Sequence, residues 1–217
     1  LIERASISGE MILKFKIADI DNDSMPEIII LRADGIIACY NTRGKELWSV
    51  FLDPHIVDFA LMDLNNNGKL EVICISREKI LYVISPSGKV LQTPLDNIYG
   101  APFMICYVQS NNFNDYKIIG IMTLDGPLHL LKIKLSKKLP VGLQLLIDVF
   151  KTFNLSTSGT PTVLSVLQSL DNNSPKIFVG FSDGKLYILD VFRDEVDSLS
   201  LFDKITSIGL IQIKDER

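Results

Sequence analysis

Residues 11–50 read MILKFKIADIDNDSMPEIIILRADGIIACYNTRGKELWSV, and residues 56–93 read IVDFALMDLNNNGKLEVICISREKILYVISPSGKVLQT. Both contain, in the same order, an apolar run ending at Asp, an acidic or Asn-rich loop, a run opened by Glu and a tight turn. A third run, a turn with Gly-Lys and a fourth run follow. Asp19 and Asp63 hold the same place, so the period is 44 residues. The runs are short, rich in Ile, Val, Leu and Tyr, and bounded by turn residues, which is the pattern of strands. Four strands in a period of about 40 to 45 residues is the size of one β-propeller blade. An all-β fold of four-stranded antiparallel blades is therefore expected.

A third copy starts at APFMICYVQSNNFNDYKIIGIMTLDGPLHLLKIKL and a fourth at GTPTVLSVLQSLDNNSPKIFVGFSDGKLYILDV. Asp34-Gly35, Asp125-Gly126 and Asp183-Gly184 recur between the second and third runs, where a two-residue hairpin requires positive φ. The second copy has SREK there. Blades are expected at about 11–53, 56–96, 101–155 and 159–202, with 205–213, ITSIGLIQI, as the first strand of a next blade. The stretch PVGLQLLIDVFKTF admits a long outer strand or a helix with Leu143, Leu146, Ile147 and Phe150 on one face, and the strand is favoured. An open ring leaves apolar blade faces bare, so the chain is expected to be part of a larger propeller, completed by more of its own chain or by a partner.

The chain of 217 residues is 47% hydrophobic and 22% charged, with a net charge of -4, the profile of an ordinary globular protein. Lys and Arg are scattered singly, without the basic face that nucleic acid selects, so no nucleic-acid partner is expected. No run approaches the ~20 consecutive apolar residues of a membrane helix, and LIERASISGE is no signal peptide, so no membrane insertion is expected. Cys39, Cys74 and Cys106 lie far apart in apolar stretches, read as buried small hydrophobes, and the expected localisation leans intracellular.

The two acidic loops carry the candidate site. Counting Asp19 as position 1, carboxylates fall at Asp19, Asp21, Asp23 and Glu27, while Met25 at position 7 offers its carbonyl. Alternating oxygens of a curled loop suit calcium, which prefers six to eight of them. In the second loop the same positions are Asp63, Asn65, Asn67, Lys69 by its carbonyl, and Glu71. Its lower ligand charge implies a weaker site. The third copy has Gln109, Asn111, Phe113 and Lys117, and the fourth a displaced SLDNNSPK, neither of which makes such a site. An ion-free alternative stands beside calcium: Asp and Asn side chains accept bonds from backbone N–H groups two residues on and hold the turn alone. No catalytic residues are expected, since His55 and His129 lack a Ser or Cys partner motif and Gly occurs only singly at turns.

ADIDNDSMPEIII and MDLNNNGKLEVIC resemble the FG-GAP or integrin-alpha-type propeller repeat. DGIIACYNTRGKELW and ILYVISPSGKVLQ are similar to the quinoprotein (PQQ-like) repeat. The fourth copy resembles a blade of the Bardet-Biedl-type scaffold propellers. These resemblances imply three readings: a non-enzymatic scaffold for protein–protein interaction, which is favoured; a calcium-stabilised extracellular adhesion or carbohydrate-binding propeller; and, least favoured, a quinoprotein enzyme. Against the last, Trp48 stands as the one Trp of the chain.

Overall fold

A computed structural model describes residues 11–109, 116–138, 142–168, 174–201 and 203–208. Every regular element in it is a strand, and the strands form four antiparallel sheets of four, each made of consecutive strands. Blade 1 holds β1 (Ile12–Ala18), β2 (Glu27–Arg32), β3 (Ile36–Tyr40) and β4 (Glu46–Phe51). Blade 2 holds β5 (Ile56–Met62), β6 (Glu71–Ser76), β7 (Ile80–Ile84) and β8 (Val90–Pro94). Blade 3 holds β9 (Pro102–Val108), β10 (Lys117–Thr123), β11 (Pro127–Lys138) and β12 (Gly142–Asn154), and blade 4 holds β13 (Pro161–Leu167), β14 (Lys176–Phe181), β15 (Lys185–Asp190) and β16 (Val196–Ser200). The first strands of blades 2, 3 and 4 adjoin in turn, β5 against β9 and β9 against β13. This is the partial β-propeller that the repeat implies.

The middle strands read as continuous apolar runs because both of their faces are covered. In β6 every residue is buried. One parity of a blade packs backward and the other forward: Phe59, Val72, Cys74, Tyr82 and Ile84 meet Ile29, Leu31, Ile37 and Cys39 of blade 1. Ile73, Ile75, Leu81 and Val83 meet Ile105, Ile119 and Ile121 of blade 3. The outer strands alternate or are exposed throughout, as β4, β8 and β16 show.

Residues 142–154 form a strand, not the helical alternative, and pair with β11 along its whole length. Antiparallel pairing there extends past Lys117, where β10 begins, so blade 3 carries a long two-stranded ribbon. Residues 205–208 show no strand pairing, and 209–213 lie outside the described residues.

The hairpin turns place Gly35, Gly126 and Gly184 at φ of 82°, 105° and 81°. In the second blade Lys79 takes the left-handed conformation at 61°, so SREK makes the same turn with a residue that pays for it sterically. Trp48 locks two blades together. Its indole N–H donates to Pro86 O at 2.8 Å, and a Cβ built on Gly88 would press on the ring, 3.1 Å from its Cγ. Cys39, Cys74 and Cys106 are free and buried. Burial pushes the Cys39 and Cys106 thiols up to about 12 and Cys74 higher still.

Candidate functional site

The loop between β1 and β2 curls because Asn22 and Ser24 adopt positive φ, 62° and 71°, and because Asp19 holds the turn from within. The Asp19 carboxylate accepts the N–H of Asp23 at 3.1 Å and that of Ser24 at 2.9 Å. Glu27, at the head of β2 and buried, reaches back to accept the Ile20 N–H at 3.0 Å. The same four features recur in the second loop. Asn66 and Gly68 have positive φ, Asp63 accepts the N–H of Asn67 at 3.0 Å and of Gly68 at 2.8 Å, and Glu71 accepts that of Leu64 at 2.8 Å. Turn geometry is thus encoded by positions 1, 4, 6 and 9 of the loop, and it is held by backbone N–H groups donating to the Asp and Glu carboxylates.

What differs is position 3. In the second loop Asn65 donates its Nδ2–H to the free Glu71 oxygen at 3.0 Å, so both oxygens of that buried carboxylate are satisfied by the chain. In the first loop position 3 is Asp21, which has no proton to give. Its Oδ1 is shielded from solvent and has no hydrogen-bond partner. Carboxylate oxygens of Asp19, Asp21 and Glu27 lie within 4.8 Å of one another, the one cluster of this kind among the described residues. Burial raises the Glu27 carboxyl above its ordinary range; the Ile20 bond opposes the shift, and Asp21, Asp23 and Asp19 add to it. Three hard oxygen donors, one of them orphaned, fit a calcium ion.

Asp23, one of the five expected ligands, is not in that cluster. The Asp23 Oδ1 accepts the Met25 N–H at 2.7 Å, closing a local turn, and both residues are exposed. Asn67 and Lys69 repeat this bond at 2.8 Å. In the third copy Lys117 stands where Glu27 and Glu71 stand, and its ammonium donates to Asn66 Oδ1 of the second loop at 2.6 Å. A side-chain cation there bridges two blades. Residues 110–115 and 169–173, with most of the third and fourth loops, lie outside the described residues.

A second charged cluster escaped the sequence reading. Asp58, buried in β5, accepts its neighbour Phe59 N–H at 2.8 Å and the Ile105 N–H of β9 at 3.0 Å, and it pairs with the Lys14 ammonium of β1. One carboxylate therefore ties the first strands of three blades. Lys14 and Lys16 also stand over the Phe59 ring, and burial, with Lys14 adding to it, lowers the Lys16 ammonium below its ordinary value. The signal was present in IVDFALM: a carboxylate inside an apolar strand needs a partner.

The histidines hold structure. His129 is buried, with Nε2 donating to the Tyr99 carbonyl at 2.8 Å and Nδ1 3.0 Å from the Thr152 hydroxyl. A carbonyl can only accept, which sets the tautomer and makes Thr152 the donor to Nδ1. His55 is exposed beside Asp53, at 3.2 Å. Asp183 is consumed by its turn: it accepts bonds from the Thr157 hydroxyl at 2.6 Å and from Ser158, Gly159 and Lys185, and these hold its carboxyl at about 2.

The model of the lambda-carrageenase beta-propeller domain matches residues 3–112. The lambda-carrageenases of Pseudoalteromonas carrageenovora and of a Pseudoalteromonas sp are each 22% identical over 196 residues, 90% of this chain. The chain spans 19% of the length of each. Among solved structures, BBS1N in complex with ARL6DN superposes with a TM-score of 0.64 at 16% identity, over 92% of this chain and 59% of that one. Saccharomyces cerevisiae Sqt1 gives 0.67 at 15% identity, over 97% and 55%. The WD40 domain of SCAP from fission yeast gives 0.58 at 13% identity, over 88% and 44%. At these identities the structural likeness speaks for the fold.

Proposed function

This chain belongs to the family of the lambda-carrageenase β-propeller domain, and we propose that within that family it serves as a non-catalytic scaffold for protein–protein interaction. The observation that carries the reading is how its buried and clustered ionisable groups are used. Asp58, Glu71, Asp190 and His129 are each engaged in backbone or interblade bonds that hold the blades together. BBS1N, whose fold this chain shares, was solved bound to another protein, ARL6DN, and a rigid propeller presents loops and edges broad enough for such contact. The test is twofold. Affinity purification from the native cell extract should retrieve a stoichiometric protein partner, and incubation with lambda-carrageenan should release no reducing ends. Release of oligosaccharide by the purified chain would overturn the reading.

A second reading rests on the family itself: a carbohydrate-binding propeller within a larger polysaccharide-processing protein. Titration calorimetry with lambda-carrageenan fragments distinguishes it, since a scaffold gives no saturable heat.

In either case the first loop is proposed to hold calcium through Asp19, Asp21 and Glu27, and the second to stand without an ion. The ion would neutralise the three facing carboxylates and stiffen the junction of β1 and β2.

A further inference from the structure

The outer strands of three blades are short: β4 has 6 residues, and β8 and β16 have 5 each. The outer strand of blade 3, β12, has 13. It closes its sheet, bonded to β11 on one side, and among the described residues no strand pairs with its other edge. From Gly142 to Val149 the pairing runs without a bulge, and GLQLLIDV holds one charge, Asp148. Short length, Pro or edge Lys usually blunt such a row of outward N–H and C=O groups, and this stretch has none of the three.

The two faces beside that edge differ in chemistry. Toward blade 2, Leu131, Ile147 and Val149 meet Pro94, Leu95 and Ile98 around a cleft of about 120 Å³, room for an aliphatic side chain. Val149 is 40% exposed there, and Asp96, which also lines the cleft, turns acidic groups away from it. On the other face, the alternation of β11 sets Lys132, Lys134 and Lys138 at one parity, opposite Asp148, Leu146 and Gly142. Lys134 is exposed, and the Lys132 ammonium stands over the Tyr116 and Phe150 rings at 4.6 and 4.5 Å. Residues 126–147 carry four Lys and no acidic residue, in a chain whose net charge is -4.

We infer that β12 receives an extended segment of a partner protein, added as a further strand at the outer edge of blade 3, whose side chains alternate between apolar and acidic. The inference rests on the scaffold reading and names the chemistry of the partner. Main-chain bonds to the β12 edge hold the segment, apolar residues of one parity enter the cleft, and acidic residues of the other reach the Lys row. A second copy of this chain is the poorer occupant, because pairing β12 with β12 brings the same Lys-bearing, acid-free segment against itself. A polyanionic saccharide matches the Lys row but offers no aliphatic side chain to the cleft.

The test uses the full-length polypeptide with a fluorescein-labelled peptide of alternating Val and Glu, and a block peptide of the same composition. Anisotropy should show saturable binding of the alternating peptide, about 10-fold tighter than the block peptide, and Lys134→Glu should weaken it about 10-fold. On adding the peptide, hydrogen exchange should slow at about half of the amides of residues 142–149, since alternate N–H groups of an edge strand point outward while the rest already bond to β11. Equal binding of the two peptides, no saturable binding, unchanged affinity in Lys134→Glu, or binding without protection of 142–149 overturns the inference. So does protection that rises with protein concentration alone, which assigns the edge to a second copy, or binding of dextran sulfate that Lys134→Glu abolishes in the absence of peptide binding, which assigns the Lys row to a saccharide. Retrieval of a stoichiometric protein partner alongside any of these results removes this inference and leaves the scaffold reading standing.

Discussion

Exchanging one atom pair between the two acidic loops tests the site directly. Asp21→Asn gives the first loop the donor that Asn65 supplies in the second, where it meets Glu71 at 3.0 Å. A hydrogen bond to a charged group contributes about 1.5–3 kcal/mol. The substitution also removes a like-charge contact among carboxylates within 4.8 Å of one another. Coulomb repulsion at that separation is about 3.5 kcal/mol at an effective dielectric of 20 and about 0.9 in bulk water. Asp21 is only half-buried, so the lower figure governs, and part of the hydrogen bond is lost to ordering the amide. The net expectation in EDTA is a gain of about 1–2 kcal/mol, a rise in thermal midpoint of roughly 2–8 °C for a chain of this size.

Calcium should reverse the order. The unaltered chain gains about 2.7 kcal/mol at a hundred times its dissociation constant, whereas Asp21→Asn, stripped of one ligand, gains little. Asn65→Asp is the reciprocal change: it should cost about 1–3 kcal/mol in EDTA, since it orphans one Glu71 oxygen, and should acquire a calcium response. Differential scanning calorimetry of the three proteins, each with EDTA and with calcium, reads the crossing. If the unaltered chain shows no calcium shift and Asp21→Asn leaves the EDTA midpoint unchanged, the charge argument fails and the loop is a turn only.

Further outcomes follow from the blade contacts and the turns. Trp48→Ala should lower stability by about 2–3 kcal/mol in denaturant unfolding, since it removes both the bond to Pro86 O and the ring packed on Gly88; Gly88→Ala should cost about 1–2 kcal/mol through its φ of 81° and the 3.1 Å approach. His129 has its folded pKa lowered by burial, with Lys79 adding and the Tyr99 bond opposing, so the unfolded chain binds the extra proton. Its contribution is fully present above the ordinary value of 6.5 and is lost as pH falls below it, which a urea midpoint series from pH 7.5 to 5 should show and His129→Gln should flatten. Asp183 should titrate at about 2 by carbon-detected NMR, and Thr157→Val should move it up towards 3.8 by removing the leading donor.

Most of the architecture could be read from the chain because it is local and repeated. Strand identity follows from short β-branched runs, and turns follow from Asp-Gly pairs. The 44-residue register between Asp19 and Asp63 declares four strands to a unit. The curled loops were legible in part: the expected bonds two residues on are those of Asp23 and Asn67, whereas Asp19 and Asp63 bond to N–H groups four and five residues on. Other features depend on where side chains converge after the blades have stacked. Spacing nominated five ligands in the first loop, yet Asp23 turned to its own backbone, and only the burial of Glu27 brings Asp19 and Asp21 against it. Asp58 is separated from Lys14 and Ile105 by 44 and 47 residues, and they meet only because the blades stack. Phe15 is exposed and Phe59 buried, although the two hold the same place in the repeat. Hydrophobic pattern specifies that a face must be covered, and the tertiary arrangement decides whether and by what it is.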